Sequence, residues 1–543
     1  MKIHEVPKEI CADLVLSNGK IVTMDEKDTI ASSIAIKNET IVKVGKIEEV
    51  EPLIGEHTEI VDLEGKTVFP GFVDSHVHFH DAGITLRYLI DLKEAKSIED
   101  ILKEVQKRVE RSKKGEWILA KRSPFLSSRE WDSEGKPRYS GRYPTRWDLD
   151  SISPDNPVVL YGNGNHVALA NSEALRLAGI DKNTPDILGG KIGKDPETGE
   201  PTGILIQKAI GRLDMRRPNS ILAPLYTTPR YREGAKIASE ELVSFGITTI
   251  HAIPQNPLEI RAQIEAAKDN DFPLRVHMLI RGWWEGVPVQ AIIRLDHLLE
   301  IGFITGFGNN RLKIGGIKLS IDGPGGIVRI PRDELEKVVI RAHEVGLRCC
   351  IHAGRTYALE WALDAIEKAL KKNPQVDHRH RIEHAGNLNC TQEHLDRIKR
   401  LGVIPSFQPP FLYLRDSVEV DNNIIPFPTR SMLDKGIRIL ANSDWPGVPA
   451  NPFIGIYAMV TRKNHLGKII HPEEAINLKE AIKAYTVDAA YAEFDENIKG
   501  SIEEGKLADM IILSEDPFSI DPEKLLDIKV LKTIIGGRIV YEQ

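Results

Sequence analysis

Residues 73–80 read VDSHVHFH, which sets His76, His78 and His80 at alternate positions around Val77 and Phe79. A strand points alternate side chains to opposite faces, so His76 and His78 share a face and His80 can extend it. Two neutral imidazoles on one strand face can close on a single metal ion. They can equally be a hydrogen-bonded core pair, and these eight residues alone leave both readings open. Further polar residues stand at the ends of other apolar runs: Lys318 in GGIKLSID, His352 in LRCCIHAG, His384 in HRIEHAG and Asp444 in IRILANSDW. Each would cost free energy there unless partnered. Convergence of all six on one place would make them a site.

The elements that carry these residues alternate. From about residue 232, helical patterns precede the apolar runs ITTIHAI, PLRVHMLI, GGIKLSID, LRCCIHAG, HRIEHAG, VIPSFQPP and IRILANSDW. With VDSHVH as the first, that is eight short strands with helices between most of them. Alternating strand and helix predicts a parallel sheet, and eight units predict a closed α/β barrel of the (β/α)8, TIM-like type. Catalytic groups of such a barrel gather at the C-terminal ends of the strands, which is where the six residues fall.

The chain of 543 residues is too long for one core, and two or three units are expected. Strand-like segments fill both ends. ADLVLSNGKIVTMD reads as a hairpin about Asn18-Gly19, and VLKTIIGGRIVYE as one about Gly536-Gly537. The expected organisation is a small β-sandwich built from residues 1–69 and 491–543, and a barrel from 70–114 and 231–490. Residues 115–230 form an insertion after the first barrel strand and helix, lying over the mouth. The helix pattern at 97–115, opened by a Ser97–Asp100 capping box, is assigned to the barrel.

The bulk properties exclude several classes. Hydrophobic residues make up 41% and charged residues 28%, an ordinary globular balance. A net charge of −7 with mixed signs throughout gives no basic surface for nucleic acid. Cys11, Cys349, Cys350 and Cys390 are too scattered for a disulfide framework or a thiolate metal site. No apolar run is long enough to span a bilayer, and the first residues lack the apolar core of a signal peptide. The expectation is a cytoplasmic protein with a small-molecule substrate, no nucleic-acid or membrane partner, and a homodimeric or higher homo-oligomeric state.

PGFVDSHVHFH resembles the first-strand motif of the amidohydrolase superfamily. GIKLSIDGPGG, IHAG, RIEHAG and ANSDWP, in that order, resemble its amidohydrolase-3 branch. GNGNHVALANSEAL (162–175), GEPTGILIQKA (199–209), TVDAAYAEF and KGSIEEGKLADMIIL extend the likeness over nearly the whole chain. The resemblance implies that His76 and His78 bind a buried metal and that His352 and His384 bind a second. It implies Lys318 as the bridging ligand, carbamylated, with Asp444 touching a metal and the attacking water. Lys313 is the rival lysine, but its five-residue offset puts it on the opposite strand face. Histidine and carboxylate-like oxygen ligands without thiolate suit Zn²⁺ first, then Mn²⁺, Co²⁺ or Fe²⁺. One or two divalent transition metal ions are therefore expected. Such an ion lowers the pKa of a bound water from about 15.7 toward 7. Asp444 would accept the water's proton and pass it to a leaving nitrogen.

The substrate side is less marked. His166, in the insertion, is a candidate for polarising a carbonyl or binding substrate, and equally a loop histidine bonded to Asn171. Arg355 follows Gly354 where the branch commonly has Gly-Asp. It is either an exposed loop residue or a cation that selects a carboxylate or phosphate. Trp283, Trp284, Trp445 and Tyr413 could wall an aromatic pocket, although tryptophans also simply pack. His80, His251 and His277 read as structural. The resulting expectation is a metal-dependent hydrolase of an amide, cyclic amide or related C–N bond. The alternatives are a metal-dependent decarboxylase of an aromatic or unsaturated acid and, behind it, a non-catalytic binding or regulatory protein.

Overall fold

The computed structural model describes residues 11–126, 143–162, 167–187, 190–213, 226–270, 272–282, 302–323, 328–418, 420–421 and 423–543. Eight strands lie side by side in one parallel sheet, in chain order: Phe72–Val77, Ile247–Ala252, Arg275–Arg281, Leu312–Ser320, Cys349–His352, Arg381–Glu383, Ile404–Phe407 and Leu440–Ala441. A parallel bridge between Val77 and Trp445 joins the first strand to the last, so the sheet is a nearly closed barrel. These are the eight runs marked by the sequence. Parallel strands are covered on their outer face by helices, which is why they are apolar almost throughout. The helix Arg332–Glu344 supplies Leu335, Val338, Val339 and Ala342 to that contact, and Thr356–Lys372 supplies Leu359, Leu363 and Ile366.

Two antiparallel-rich sheets draw on both ends of the chain. One is built from Leu14–Ser17, Ser33–Lys37, Thr40–Gly45 and Glu59–Asp62. The other pairs Lys20–Val22, Ile30–Ala31 and Thr67–Pro70 with Met510–Leu513, Val530–Ile535 and Arg538–Glu542. Leu14, Ile34 and Ile36 from the first sheet and Ile21, Val68, Met510 and Ile534 from the second share one core. The Gly536-Gly537 turn makes the hairpin its sequence suggests, with both glycines at positive φ and the flanking strands antiparallel. The Asn18-Gly19 turn does not. Asn18 takes φ 57°, but Leu14–Ser17 pairs within one sheet and Lys20–Val22 within the other, so the turn carries the chain between sheets.

A third sheet of six strands, Ile90–Asp91 to Pro201–Gln207, forms the insertion. The capping box holds: Ser97 accepts from the Asp100 N–H at 3.1 Å, and Asp100 accepts from the Ser97 N–H at 3.0 Å. The helix it opens, Ile98–Val109, belongs to this sheet and not to the barrel. Its buried Ile101 and Val105 pack with Ile118, Val158, Leu160 and Leu169. The helix that follows the first barrel strand is Phe79–Tyr88, which the sequence pattern does not separate from the strand before it. Lys121 of the insertion and Asp81 of that helix form a buried ion pair of 2.6 Å, which ties the insertion to the barrel beside the histidines. Among the described residues no helix is long and apolar enough to cross a membrane.

Candidate metal centre

His76 lies near the end of the first strand and His78 immediately beyond it. The last strand delivers Asp444 to the same point through backbone contacts. The Asp444 N–H donates to the His76 carbonyl at 3.0 Å, and the His78 N–H donates to the Trp445 carbonyl at 2.8 Å. Asp74 adds a buried clamp, accepting from the backbone N–H of both His76 and Ser443 at 3.2 Å and from the Ser443 hydroxyl. Burial pushes the Asp74 carboxyl up to about 7. His76 Nε2 and His78 Nε2 each stand 3.4 Å from Asp444 Oδ1, so three candidate ligand atoms face one small space. Asp444 sits at φ 58°, a left-handed conformation that costs a non-glycine residue free energy and is tolerated where surrounding contacts impose it.

Lys318 brings its Nζ to 3.3 Å from His76 Nε2. Burial pushes its pKa down to about 8, which opens the neutral amine near physiological pH. The ring of His384 lies 5.4 Å from that of His76, and the ring of His352 lies 4.3 Å from that of His384. The six residues read from the sequence are therefore contiguous. Burial, and next to it the Lys318 charge, lowers His76 to about 3, so its imidazole is neutral and has a lone pair to offer. Burial works against ionisation of Asp444, but His76 and His78 beside it outweigh that and hold the carboxyl well below its usual range. Neutral imidazoles at His76, His352 and His384 and the ionised Asp444 carboxylate make a donor set that fits a divalent transition metal.

Several contacts that fix this arrangement are not legible as motifs. Glu383, fully buried, accepts from His76 Nδ1 at 2.6 Å and is itself paired with Arg381. Strict strand alternation puts 383 and 384 on opposite faces. His384, at φ 67°, turns the chain at the strand end, so both side chains reach the His76 ring. Asp322, just past the Lys318 strand, accepts from the Gly354 N–H at 2.9 Å and stands 3.6 Å from His352 Nε2. Gln255 Nε2 lies 3.3 Å from His78 Nδ1. A carboxylate directly before a site histidine, as in RIEH, is the one signal that could have pointed to Glu383.

The other expected residues divide. His166, Trp283 and Trp284 lie outside the described residues. Trp445 is only 3% exposed, packs in the main core and bridges Val77 beside the site histidines. Arg355 is exposed and stands at the N-terminus of the helix Thr356–Lys372. It lies close enough to Asp322 for its charge to favour that carboxylate, although burial on balance raises the Asp322 pKa. Lys313 points elsewhere, bonding Asp495 at 2.6 Å. His80 is buried, with Glu259 Oε2 at 3.8 Å. His251 and His277 form a second, deeper cluster with Glu493.

Residues 59–541 match the model of the amidohydrolase family described as Amidohydro_3. The chain is 30% identical to the protein YtcJ of Bacillus subtilis (strain 168), over 97% of this chain and 98% of that one. It is 27% identical to the N-substituted formamide deformylase of Arthrobacter pascens, over 98% of both. A solved structure of an uncharacterized metal-dependent hydrolase from Pyrococcus horikoshii OT3 superposes with a TM-score of 0.73 at 27% identity. It covers 94% of this chain and 99% of that one. The chain belongs to the amidohydrolase family, and that membership places it among the metal-dependent hydrolases.

Proposed function

We propose that this protein hydrolyses the C–N bond of a small amide, cyclic amide or related compound, with one or two divalent transition metal ions, zinc first, held at the barrel mouth. The observation that carries this reading is the convergence of His76 Nε2, His78 Nε2 and Asp444 Oδ1 on one space with the Lys318 Nζ beside it. His352 and His384 would complete the ligand set, and Lys318, if its neutral amine takes up carbon dioxide as a carbamate, would add two anionic oxygens to it. A bound ion supplies Lewis acidity, polarising a carbonyl oxygen and lowering the pKa of water from about 15.7 toward 7.

The chain's own residues do the rest. Asp444, ionised and pinned by backbone contacts to the first strand, accepts a proton from the attacking water. The water oxygen forms the new C–O bond, the C–N bond breaks, and Asp444 returns the proton to the departing nitrogen. Acid and amine are the products. The near-full-length likeness to a formamide deformylase favours N-acyl substrates. The site is tested by elemental analysis of gently purified protein, followed by a screen of N-substituted formamides and cyclic amides for amine release. One or two transition metals per chain, activity lost to chelator and recovered with Zn²⁺, Mn²⁺ or Co²⁺, is the expected result. Protein free of bound metal, or release of carbon dioxide without amine, overturns the reading.

A further inference from the structure

Behind the two histidines that face each other across the site runs a chain of buried polar side chains whose direction can be worked out from the backbone. The Gln408 N–H donates to Asn387 Oδ1 at 3.1 Å. That fixes the Asn387 amide, so its Nδ2 is the atom donating to Gln408 Oε1 at 2.8 Å. Gln408 Oε1 is then an acceptor, and His384 Nδ1, 2.7 Å from it, must carry a proton. Independently, Asn442 Nδ2 donates to the Phe407 carbonyl at 3.0 Å, which leaves Asn442 Oδ1 to accept from Gln408 Nε2 at 2.7 Å. Asn442 Nδ2 also donates to the Ser406 hydroxyl at 3.0 Å, and that hydroxyl donates to Glu383 Oε2 at 3.0 Å. Glu383 Oε2 is the same oxygen that accepts from His76 Nδ1 at 2.6 Å.

The relay thus runs one way, from His384 through Gln408, Asn442 and Ser406 to the Glu383 carboxylate, with His76 joining at that end. Two backbone groups, the Gln408 N–H and the Phe407 carbonyl, fix its polarity at separate points. Glu383, Ser406, Gln408 and Asn442 are all 0% exposed, so water cannot substitute for a missing partner. Both imidazoles hold their proton on Nδ1 and leave the Nε2 lone pair free.

We propose that Gln408, Asn442 and Ser406 are positioning residues that set the tautomers of His384 and His76 together and so present both Nε2 atoms to the metal space. The proposal rests on the metal reading above. Zn²⁺ affinity, measured by competition with a chromophoric chelator, and the visible spectrum of the Co²⁺-loaded protein test it, alongside Tm. Gln408→Leu and Ser406→Ala should each weaken Zn²⁺ binding about 10–100-fold and alter the Co²⁺ spectrum, the usual span for outer partners of metal-bound histidines. Ser153→Ala removes an equally buried serine hydroxyl, bonded to the Leu149 carbonyl in the insertion, and should lower Tm without touching the metal readouts. Should Gln408→Leu fail to fold, Ser406→Ala, whose hydroxyl touches neither histidine, decides alone. Wild-type affinity and spectrum in Ser406→Ala overturn the proposal while leaving the metal reading intact. A wild-type protein that binds no Zn²⁺ overturns the metal reading and this proposal with it.

Discussion

Two clusters inside one barrel offer the same residue types with opposite consequences. At the mouth, His76, His78 and Asp444 bring their polar atoms together, with Lys318 alongside. Deeper, His251, His277 and Glu493 are also close enough to hold an ion. There the lone pairs are already committed. Arg381 Nη1 stands 2.5 Å from His251 Nδ1, so that nitrogen accepts and Nε2 donates to Glu493. His277 Nε2 lies 3.2 Å from Asp495 Oδ2, Lys499 pairs with Glu493, and Lys313 bonds Asp495 at 2.6 Å. A cation entering this cluster would have to displace three others. At the mouth Arg381 is absorbed by Glu383, and the Nε2 atoms are left facing the cavity. The charges around a histidine set, more than its composition, decide whether a metal can enter.

The largest effect expected from breaking this contrast is at Asp444. Asp444→Asn keeps the shape and removes the proton acceptor, and should cost about 10²–10⁴-fold in turnover with the fold and most metal retained. A loss below tenfold in steady-state kinetics would show that another group is the base.

Glu493→Gln tests the other cluster. It leaves Lys499 and the buried histidines without their central charge, and should lower the unfolding free energy by about 3–5 kcal/mol. Zn²⁺ per folded chain should be unchanged. Denaturant titration and elemental analysis of the same sample read both quantities.

A paired substitution sharpens the distinction within a single strand. Lys318→Ala should bind metal poorly and recover part of its activity with a short carboxylate such as formate or acetate. Lys313→Ala should keep wild-type metal affinity and lose stability instead, because it abandons Asp495. Equal metal loss in both variants would contradict the division of the barrel into two clusters.

The smallest effect concerns pH. His80 is buried in neither cluster's hydrogen-bond network, and burial pushes its pKa down to about 4. The unfolded chain, with an ordinary histidine pKa of about 6.5, binds the proton first, so stability falls as pH drops from about 6.5 toward 4. One such group changes stability by up to about 1.4 kcal/mol per pH unit in that window. His80→Phe should flatten the acid limb of a Tm-against-pH curve by that one proton and leave the neutral-pH metal content as it was.

The eight barrel strands were legible in the sequence because parallel strands buried on both faces must be continuous apolar runs, and a polar residue at the end of such a run stands out. Lys318 was preferred to Lys313 on strict alternation, but a register shift between Ile314 and Gly316 interrupts it: the two lysines pair with His277 and Arg281, four residues apart, and Lys313 is set aside by its bond to Asp495. The sequence also carried the Gly536-Gly537 hairpin, whose glycines determine the turn locally. Asn18-Gly19 has equally strong local chemistry, yet only tertiary pairing decides that its two strands join different sheets. Ile98–Val109 shows the same limit: its helix and cap are local, but which core takes its apolar face is not. Glu383, Gln408, Asn442 and Ser406 come from three strand ends and matter only through one another. Sequence spacing orders side chains along an element, whereas the direction of a hydrogen-bond chain across elements is set by where folding brings their donors and acceptors. The clustered residues were therefore readable one by one, and the network behind them was not.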